Sequence, residues 1–194
     1  MFCLTVDDEI ELGLLEDHHV ETLFALVDAN REHLRRWLAW VDDNTDVEHT
    51  RQFRHASLMD FANGTGLSTG IFYRGQLVGM LGTAKMNPAD RLVELGYWLA
   101  AEAEGRGIVT RACRAALAYL FDERGFNRVQ IRCATGNTRS CAIPERLGFT
   151  REGVLRQEGR VGDGSFVDLV MYSLLAEEWQ AGQSSPDEFA GSKK

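Results

Sequence analysis

The sequence predicts an α/β protein with one domain, in which helices flank a single mixed β-sheet. A chain of 194 residues with 44% hydrophobic content is long enough to bury one core. Short turns join the alternating apolar segments between residues 67 and 99, which is typical of an antiparallel meander. A helical pattern then separates strand patterns at residues 92–99 and 128–133, which is typical of a parallel crossover.

The N-terminal part of the chain predicts a strand followed by helices. Residues 9–15 alternate well enough for a strand, and Asp17 is suited to cap the helix that follows. Residues 33–41 predict a further helix, on which Trp37 and Trp40 are three positions apart and share one face. Such a face either packs in the core or lines a substrate pocket.

A longer helix is predicted next, before the pattern changes to strands. Thr45 and Glu48 have the spacing of a capping box, so this helix is expected from Asp46 to about Ala62, with its end at Gly64. Short turns connect the strands that follow, so neighbouring strands are expected to be antiparallel. These strands cover residues 67–73, 76–86 and 92–99.

A glycine-containing turn at residues 104–107 joins the last of these strands to a helix whose apolar positions recur at three- and four-residue spacing. Such a turn leaves main-chain N–H groups unpaired at the start of the helix and concentrates partial positive charge there. It can therefore hold a phosphate or diphosphate without a lysine. The pattern is neither a Walker loop nor a dinucleotide fingerprint, and alone it is explained equally well as an ordinary turn.

The C-terminal part of the chain predicts a strand, a short helix and a final pair of strands. Residues 128–133 alternate strictly, and the helix opens at residues 136–140 and ends at residues 147–149. Residues 184–194 are rich in Ser, Gly and charge, so we expect a disordered tail there and a domain that spans residues 1–183. The final strands cover about 150–158 and 165–174.

The composition restricts the class of function. A net charge of −8 opposes general binding to nucleic acid or to a membrane surface and suits a cationic acceptor. The absence of a membrane-length apolar run and of a charged signal-peptide start predicts a cytoplasmic protein. The cysteines and histidines lack ligand spacing, so no metal site is expected. Arginines gather near the glycine turn, where a polyanionic cofactor could dock: Arg106, Arg111, Arg114, Arg139 and Arg146.

The order of the motifs resembles that of the GNAT acetyltransferases. The resemblance is carried by residues 105–110 after a strand, by residues 137–140, and by residues 145–149 further along. Within this superfamily the chain looks most like the RimJ/RimL ribosomal-protein N-acetyltransferases, with additional matches at residues 37–40 and 96–98.

The resemblance implies a fold and a cofactor. It implies a central sheet that splays into a V between its fourth and fifth strands, with acetyl-CoA as co-substrate in the cleft. Asn137 would bond the pantetheine arm or cap its helix, and homodimers are common in the family. The pantetheine arm would pair with the main chain at Tyr97, Trp98 and Leu99. The pyrophosphate would rest on the N–H groups of Gly105, Arg106, Gly107, Ile108, Val109 and Thr110.

The sequence departs from the family pattern at Glu104 and at Pro144. Glu104 stands where Gln or Arg is frequent, and its carboxylate would repel a pyrophosphate unless it points away. Pro144 stands where many members carry a tyrosine acid. It lacks the N–H that would bond the carbonyl of Ser140, so the helix either bends or begins near the proline.

Candidate catalytic residues follow from the resemblance. Ser140 is the candidate that protonates the CoA thiolate, since the tyrosine is missing; the alternative is that it only caps its helix. Glu158 is the candidate base and Glu94 is the runner-up, and a solvated carboxylate explains either equally well. The acceptor side is assigned to His33, Trp37, Trp40 and Glu94.

Three functions fit these observations. The first is an acetyl-CoA-dependent N-acetyltransferase acting on the α-amino group of a peptide or protein, for example a ribosomal protein. A weak base suffices there, since an α-amine has a pKa of about 7.7–8.0 and a lysine about 10.4. The second is the same reaction on a small amine, such as a polyamine, an aminoglycoside or an aminoacyl conjugate. The third is a non-catalytic acyl-CoA-binding module.

Overall fold

The computed structural model describes residues 2–183, so the predicted tail at residues 184–194 lies outside the described residues. Eight strands form one sheet in the order β1-β2-β3-β4-β5-β6-β8-β7, numbered along the chain. Among the strands of residues 2–183, only β5 and β6 are parallel neighbours. The strands are β1 Cys3–Thr5, β2 Ile10–Leu14, β3 Ser68–Tyr73, β4 Gln76–Asn87, β5 Leu92–Leu99, β6 Arg128–Ala134, β7 Thr150–Arg160 and β8 Phe166–Leu175.

Six α-helices accompany this sheet within the described residues. Short 3₁₀ turns occur at Asp17–His19, Ala39–Val41 and Ala101–Ala103, and the fourth helix continues as a π-helical turn at Tyr119–Glu123. Among residues 2–183, each helix is too short or too polar to cross a bilayer. The helices are α1 Val20–Ala29, α2 Arg31–Leu34, α3 Val47–Asn63, α4 Ile108–Ala118, α5 Thr138–Arg146 and α6 Ala176–Gln183.

The helices lie on both faces of the sheet. Met80 and Leu81 are neighbours on β4 and therefore point to opposite faces. Leu81 packs in the larger cluster, which contains the buried side of α4, whereas Met80 packs in a second cluster with α1 and α2. The predicted α/β architecture, with one mixed sheet between helices, is confirmed.

The sheet splits where β5 and β6 diverge. Their parallel pairing runs from Leu92 opposite Arg128 to Leu95 opposite Ile131 and stops there, although both strands continue. The rest of β5 has a partner strand on the β4 side alone. This is the predicted V, although the strands are the fifth and sixth of the chain. The three-residue strand β1, which pairs with β2, was not predicted.

Two predicted helix caps were out of place, since the N-cap of α1 is His19 rather than Asp17. Asp17 lies inside the first 3₁₀ turn, and Glu16 is its N-cap. The N-cap of α3 is Asp46, whose carboxylate accepts the N–H of Glu48 at 2.8 Å, so Thr45 is not the cap. Asp and Thr are both good caps, and spacing alone does not distinguish adjacent candidates.

The predicted helix at residues 33–41 was wrong. The chain leaves α2 after Leu34, and Leu38 is extended, with φ −125° and ψ 110°. Leu38 packs against the cluster beneath α1, and the Arg31 guanidinium binds the carbonyl of Asn44 at 2.8 Å. These tertiary contacts override the local helix pattern, so Trp37 and Trp40 do not share a helix face.

A polar cluster connects the last three strands, and its charged groups make the stability of the fold depend on pH. Arg128 on β6 binds both carboxylate oxygens of Glu152 on β7, at 2.6 and 2.7 Å, and Ser173 on β8 donates to the same carboxylate at 2.6 Å. These bonds lower the pKa of Glu152 to about 2. Because the unfolded-state pKa is higher, about 4.3, the cluster stabilises the fold above that pH, and this stability is lost as the pH falls towards 2.

We therefore expect Glu152→Gln to lower the free energy of unfolding at pH 7 and to flatten its dependence on pH between about 4 and 2. Denaturant unfolding at a series of pH values measures this. Glu123→Gln is the matched control, because Glu123 is exposed and makes no ion pair within residues 2–183. An equal acid dependence in the two variants would contradict the assignment.

Candidate active site

The turn between β5 and α4 presents free main-chain N–H groups. Gly105 and Gly107 have φ of 76° and 68°, in the left-handed region that favours glycine. Within residues 2–183, the N–H groups of residues 105–110 have no hydrogen-bond acceptor, and the first that does belongs to Arg111, which bonds Gly107 O at 3.1 Å. α4 begins at this point, so its positive end adds to the same site. The arrangement is that of an anion site.

The open edge of β5 leads towards this turn. Ala100 N–H bonds Val78 O at 2.8 Å, and hydrogen-bonded pairs alternate along an antiparallel ladder. The main-chain groups of Trp98 therefore face β4, whereas those of Tyr97 and Leu99 face the gap. Of the three predicted pantetheine positions, two offer free main-chain groups, and Trp98 offers only its side chain.

The Glu104 carboxylate is held by two basic side chains. His33 Nε2 lies 3.2 Å from Glu104 Oε1, and Arg139 at the start of α5 forms an ion pair with the other oxygen. Arg139 therefore offsets the negative charge that the sequence placed beside the anion site. His33, which was assigned to the acceptor side, contacts Glu104 in the turn between β5 and α4.

The other arginines that were predicted to gather here are divided. Arg111 binds the carboxylates of Asp7 and Glu9, at 2.7 and 3.2 Å. Arg106 lies over the ring of Tyr73, 5.7 Å from its centroid. Arg111 and Arg106, two of the arginines predicted to gather here, therefore contact other side chains of the protein.

Ser140 lies in the first turn of α5, beside the open end of the gap. Asn137 caps this helix by accepting Ser140 N–H at 3.2 Å. Ser140 Oγ is 3.2 Å from Cys133 Sγ and 3.4 Å from the Tyr97 hydroxyl. Burial raises the pKa of Cys133 to about 12, so its thiol is neutral at physiological pH. The site therefore presents a serine hydroxyl among neutral groups.

Both candidate bases contact one arginine. Glu94 is 6% exposed and accepts hydrogen bonds from Arg132 Nε at 2.8 Å and from Gln130 at 3.0 Å. Glu158 Oε1 is 3.1 Å from Arg132 Nη1, and its side chain is 53% exposed. Glu94 is thus enclosed by its partners, whereas Glu158 is anchored at one oxygen and remains accessible to solvent.

The hydroxyl and carboxylate groups lie on opposite faces of the split sheet. On β5, Glu94 and Tyr97 are three positions apart, so they point to opposite faces. Arg132 shares the Glu94 face, and its neighbour Cys133 shares the face of Tyr97 and Ser140. The gap between β5 and β6 connects the two groups. An acyl group within it would be open to a proton donor on one face and a carboxylate on the other.

Aromatic side chains surround the Glu94 face without forming one helix face. The rings of Trp40 and Trp98 are 6.3 Å apart between centroids, and Trp40 is 41% exposed. A methyl group built on Gly136 would lie 3.7 Å from the Trp37 ring. The Trp40 ring is therefore accessible for contact with an amine substrate, whereas Trp37 packs against the loop before α5.

Three side-chain contacts of the site were not predicted, and Tyr97 was expected to act only through its main chain. The Tyr97 side chain contacts Ser140, Arg132 links both carboxylates, and buried Asn30 accepts the N–H of Ala101 at 2.9 Å. The strict alternation on β6 gave a signal for Arg132, since it placed this arginine on a polar face of a central strand. The Tyr97 hydroxyl and the Asn30 side chain act through contacts distant in sequence, for which the motifs carried no signal.

Comparison with known proteins assigns the chain to a family. The acetyltransferase (GNAT) domain family matches residues 9–150, the region that contains the split sheet and the helix start described above. The protein belongs to the GNAT acetyltransferase family and is an N-acetyltransferase.

Individual relatives agree with this assignment. YdaF of Bacillus subtilis (strain 168), named as a candidate ribosomal N-acetyltransferase, is 38% identical over 184 residues, which are 93% of this chain and 98% of YdaF. The ribosomal-protein-serine acetyltransferase of Escherichia coli (strain K12) is 26% identical over 174 residues, 90% of this chain and 97% of the relative. A structure of RimL, a ribosomal L7/L12 α-N-protein acetyltransferase in complex with coenzyme A, superposes with a TM-score of 0.87 at 26% identity, covering 91% and 99% of the two chains.

Proposed function

We propose that the protein transfers an acetyl group from acetyl-CoA to the α-amino group of a protein or peptide. The observation that carries the proposal is the set of unpaired N–H groups at residues 105–110, next to a free β5 edge that leads to Ser140. The names of YdaF and RimL as ribosomal-protein enzymes support a protein acceptor and favour a cytoplasmic location.

The residues present fit acetyl-CoA as the co-substrate. The N–H groups of residues 105–110 suit its diphosphate. The free main-chain groups of Tyr97 and Leu99 suit the amides of its pantetheine arm, which would bind there as a neighbouring strand does. Arg139 neutralises the Glu104 carboxylate, so this carboxylate does not oppose the diphosphate. Acetyl-CoA supplies the acetyl group as a thioester and leaves as the thiol.

The catalytic roles follow from the two faces of the gap. Ser140 donates a proton from its Oγ to the leaving sulfur and regains one from solvent water, and the Asn137 cap holds the start of α5 in place. Glu158 orients the acceptor amine and takes its proton, directly or through water, while Arg132 fixes the carboxylate. Trp40 and Trp98 form the apolar wall beside the acceptor.

A thiol-release assay over a panel of amines tests the function. The panel contains peptides with a free α-amine, the same peptides N-acetylated but with a free lysine, polyamines and aminoglycosides. We expect release with free α-amines and little with blocked peptides, because the lysine amine is almost fully protonated at neutral pH.

Other results would replace the proposal. Turnover confined to polyamines or aminoglycosides would indicate a small-molecule enzyme. Acetyl-CoA binding by calorimetry, without turnover of any amine in the panel, would indicate a binding module.

The glycine turn gives a prediction for cofactor binding. We expect Gly107→Val to weaken acetyl-CoA binding about tenfold, because valine disfavours the left-handed conformation and obstructs the approach to the N–H groups. Calorimetry with acetyl-CoA measures the affinity. The matched control is Gly125→Val, since Gly125 has φ of 66° and equally open surroundings but lies beyond the end of the π turn. Both variants should lose similar stability, about 1–2 kcal/mol, and equal losses of affinity would contradict the anion site.

A further inference from the structure

Pro144 leaves one carbonyl of α5 without its helical partner. The proline lies inside the helix, four residues after Ser140, and it has no N–H to donate to the Ser140 carbonyl. The helix nevertheless runs unbroken from Thr138 to Arg146, so of the two alternatives drawn from the sequence, a start near the proline is excluded. The lost bond lies at the main chain of the proposed proton donor.

Tyr97 replaces this missing donor. Its hydroxyl donates to the Ser140 carbonyl at 3.1 Å, across a separation of 43 residues. The same hydroxyl is 3.4 Å from Ser140 Oγ, so one group on β5 contacts both the main chain and the side chain of the serine. Burial raises the pKa of Tyr97 well above its usual value, so the hydroxyl keeps its proton throughout the physiological range.

We propose that Tyr97 is a positioning residue that fixes the first turn of α5, and thereby Ser140, by occupying the main-chain carbonyl that Pro144 leaves free. This inference rests on the proposed role of Ser140 as proton donor. Tyr97 and Asn137 then hold the serine from two sides, the first at its carbonyl and the second at its N–H.

The position of Tyr97 suits this role. It lies on β5 just after the strand parts from β6, and its main chain faces the gap in which the acyl group is expected. Its ring packs against the core cluster that includes α4. A rigid strand therefore sets the distance between the cofactor edge and the serine, which a helix start held only by its own cap would not do.

Tyr97→Phe tests the inference, because it keeps the ring and removes the hydroxyl. We expect kcat to fall about tenfold with little change in the acetyl-CoA dissociation constant, since only the placement of Ser140 is altered. In the protein without acetyl-CoA, hydrogen–deuterium exchange should increase in the first turns of α5. Wild-type kcat together with unchanged exchange would overturn the proposal.

Pro144→Ala provides a rescue that a general packing role for Tyr97 would not predict. Alanine restores an N–H four residues after Ser140, so the helix can bond the carbonyl itself. The Tyr97→Phe/Pro144→Ala double variant should regain most of the lost kcat and the slow exchange of α5. Failure of this rescue, with the protein folded, would contradict the proposed mechanism.

Two further variants separate the possible failures. Tyr172→Phe is the matched control, because the Tyr172 hydroxyl also binds α5, at Glu145 Oε1 and 2.8 Å, but not at Ser140; it should leave kcat nearly unchanged. In a Ser140→Ala background, Tyr97→Phe should have no further effect on kcat. If Ser140→Ala alone left kcat unchanged, the role of Ser140 would fail, and the exchange data would still show whether Tyr97 anchors α5.

Discussion

Ser140→Ala is expected to lower kcat by about 10²-fold or more, the usual contribution of a positioned proton donor. The serine Oγ is the hydroxyl that the start of α5 presents at the gap, and its thiol neighbour Cys133 has a pKa raised by burial to about 12. The Cys133 thiol is therefore too weak an acid to replace the serine. In the Ser140→Ala variant, the CoA sulfur would have to leave as a thiolate without a proton donor. Steady-state turnover with a free-α-amine peptide measures the loss.

The expected loss is specific to the hydroxyl. The Asn137 cap accepts the main-chain N–H of residue 140, which alanine retains, so folding and acetyl-CoA affinity should stay close to wild type. Cys133→Ala is the matched control. It removes the thiol that contacts Ser140 Oγ and should reduce kcat only slightly. Wild-type kcat for Ser140→Ala, or an equal loss for Cys133→Ala, would exclude the serine as the sole donor.

The centre of the fold could be predicted from the sequence because its signals are local. Residues 92–99 are mostly apolar, residues 104–107 carry the glycines that the left-handed turn requires, and α4 shows the helical period of buried positions. These are properties of neighbouring residues, and the structure confirms the bounds of β5 as predicted. The two-face alternation of β6 was predicted for the same reason.

The chain between α2 and α3 could not be predicted in this way. Its apolar residues occur at helical spacing, yet Leu38 is extended because burial beneath α1 outweighs the local preference. Arg31 holds the loop through carbonyl contacts. Nothing in a helical pattern reveals that an arginine before it will bind the main chain after it.

The partners of the charged side chains were equally hidden. Glu104 was expected to oppose the pyrophosphate, but His33 and Arg139 reach it from distant segments. Glu94 and Glu158 looked like independent carboxylates, and Arg132 joins them. Such ion pairs depend on how the helices and strands pack. The sequence could therefore indicate the charged residues but not their partners.

The edge strand β7 is irregular just before Glu158. The register with β8 shifts between Leu155 and Gly159, and Gln157 has φ of 53°, which is unusual for a residue other than glycine. The Gln157 N–H is satisfied by Asp168 Oδ1 at 2.8 Å. A bulge of this kind redirects the side chain that follows, here Glu158 towards Arg132.

Glu158→Gln is expected to lower kcat/KM by about 10²-fold near neutral pH, within the usual range for loss of a general base. The deficit should shrink as the pH rises above about 8, because an α-amine with a pKa of about 7.7–8.0 then loses its proton without assistance. The profile of kcat/KM against pH, measured with the peptide acceptor, tests both statements. Acetyl-CoA affinity should not change, since Glu158 lies on the acceptor face.

Glu94→Gln is the matched comparison, since both carboxylates bind Arg132. Glu94 is buried, so its neutral replacement removes the partner of a charged guanidinium and should lower the free energy of unfolding. Its activity deficit should be independent of pH, because no proton transfer is lost. If Glu94→Gln instead produced the loss that high pH relieves, and Glu158→Gln did not, the base would be the buried carboxylate on β5.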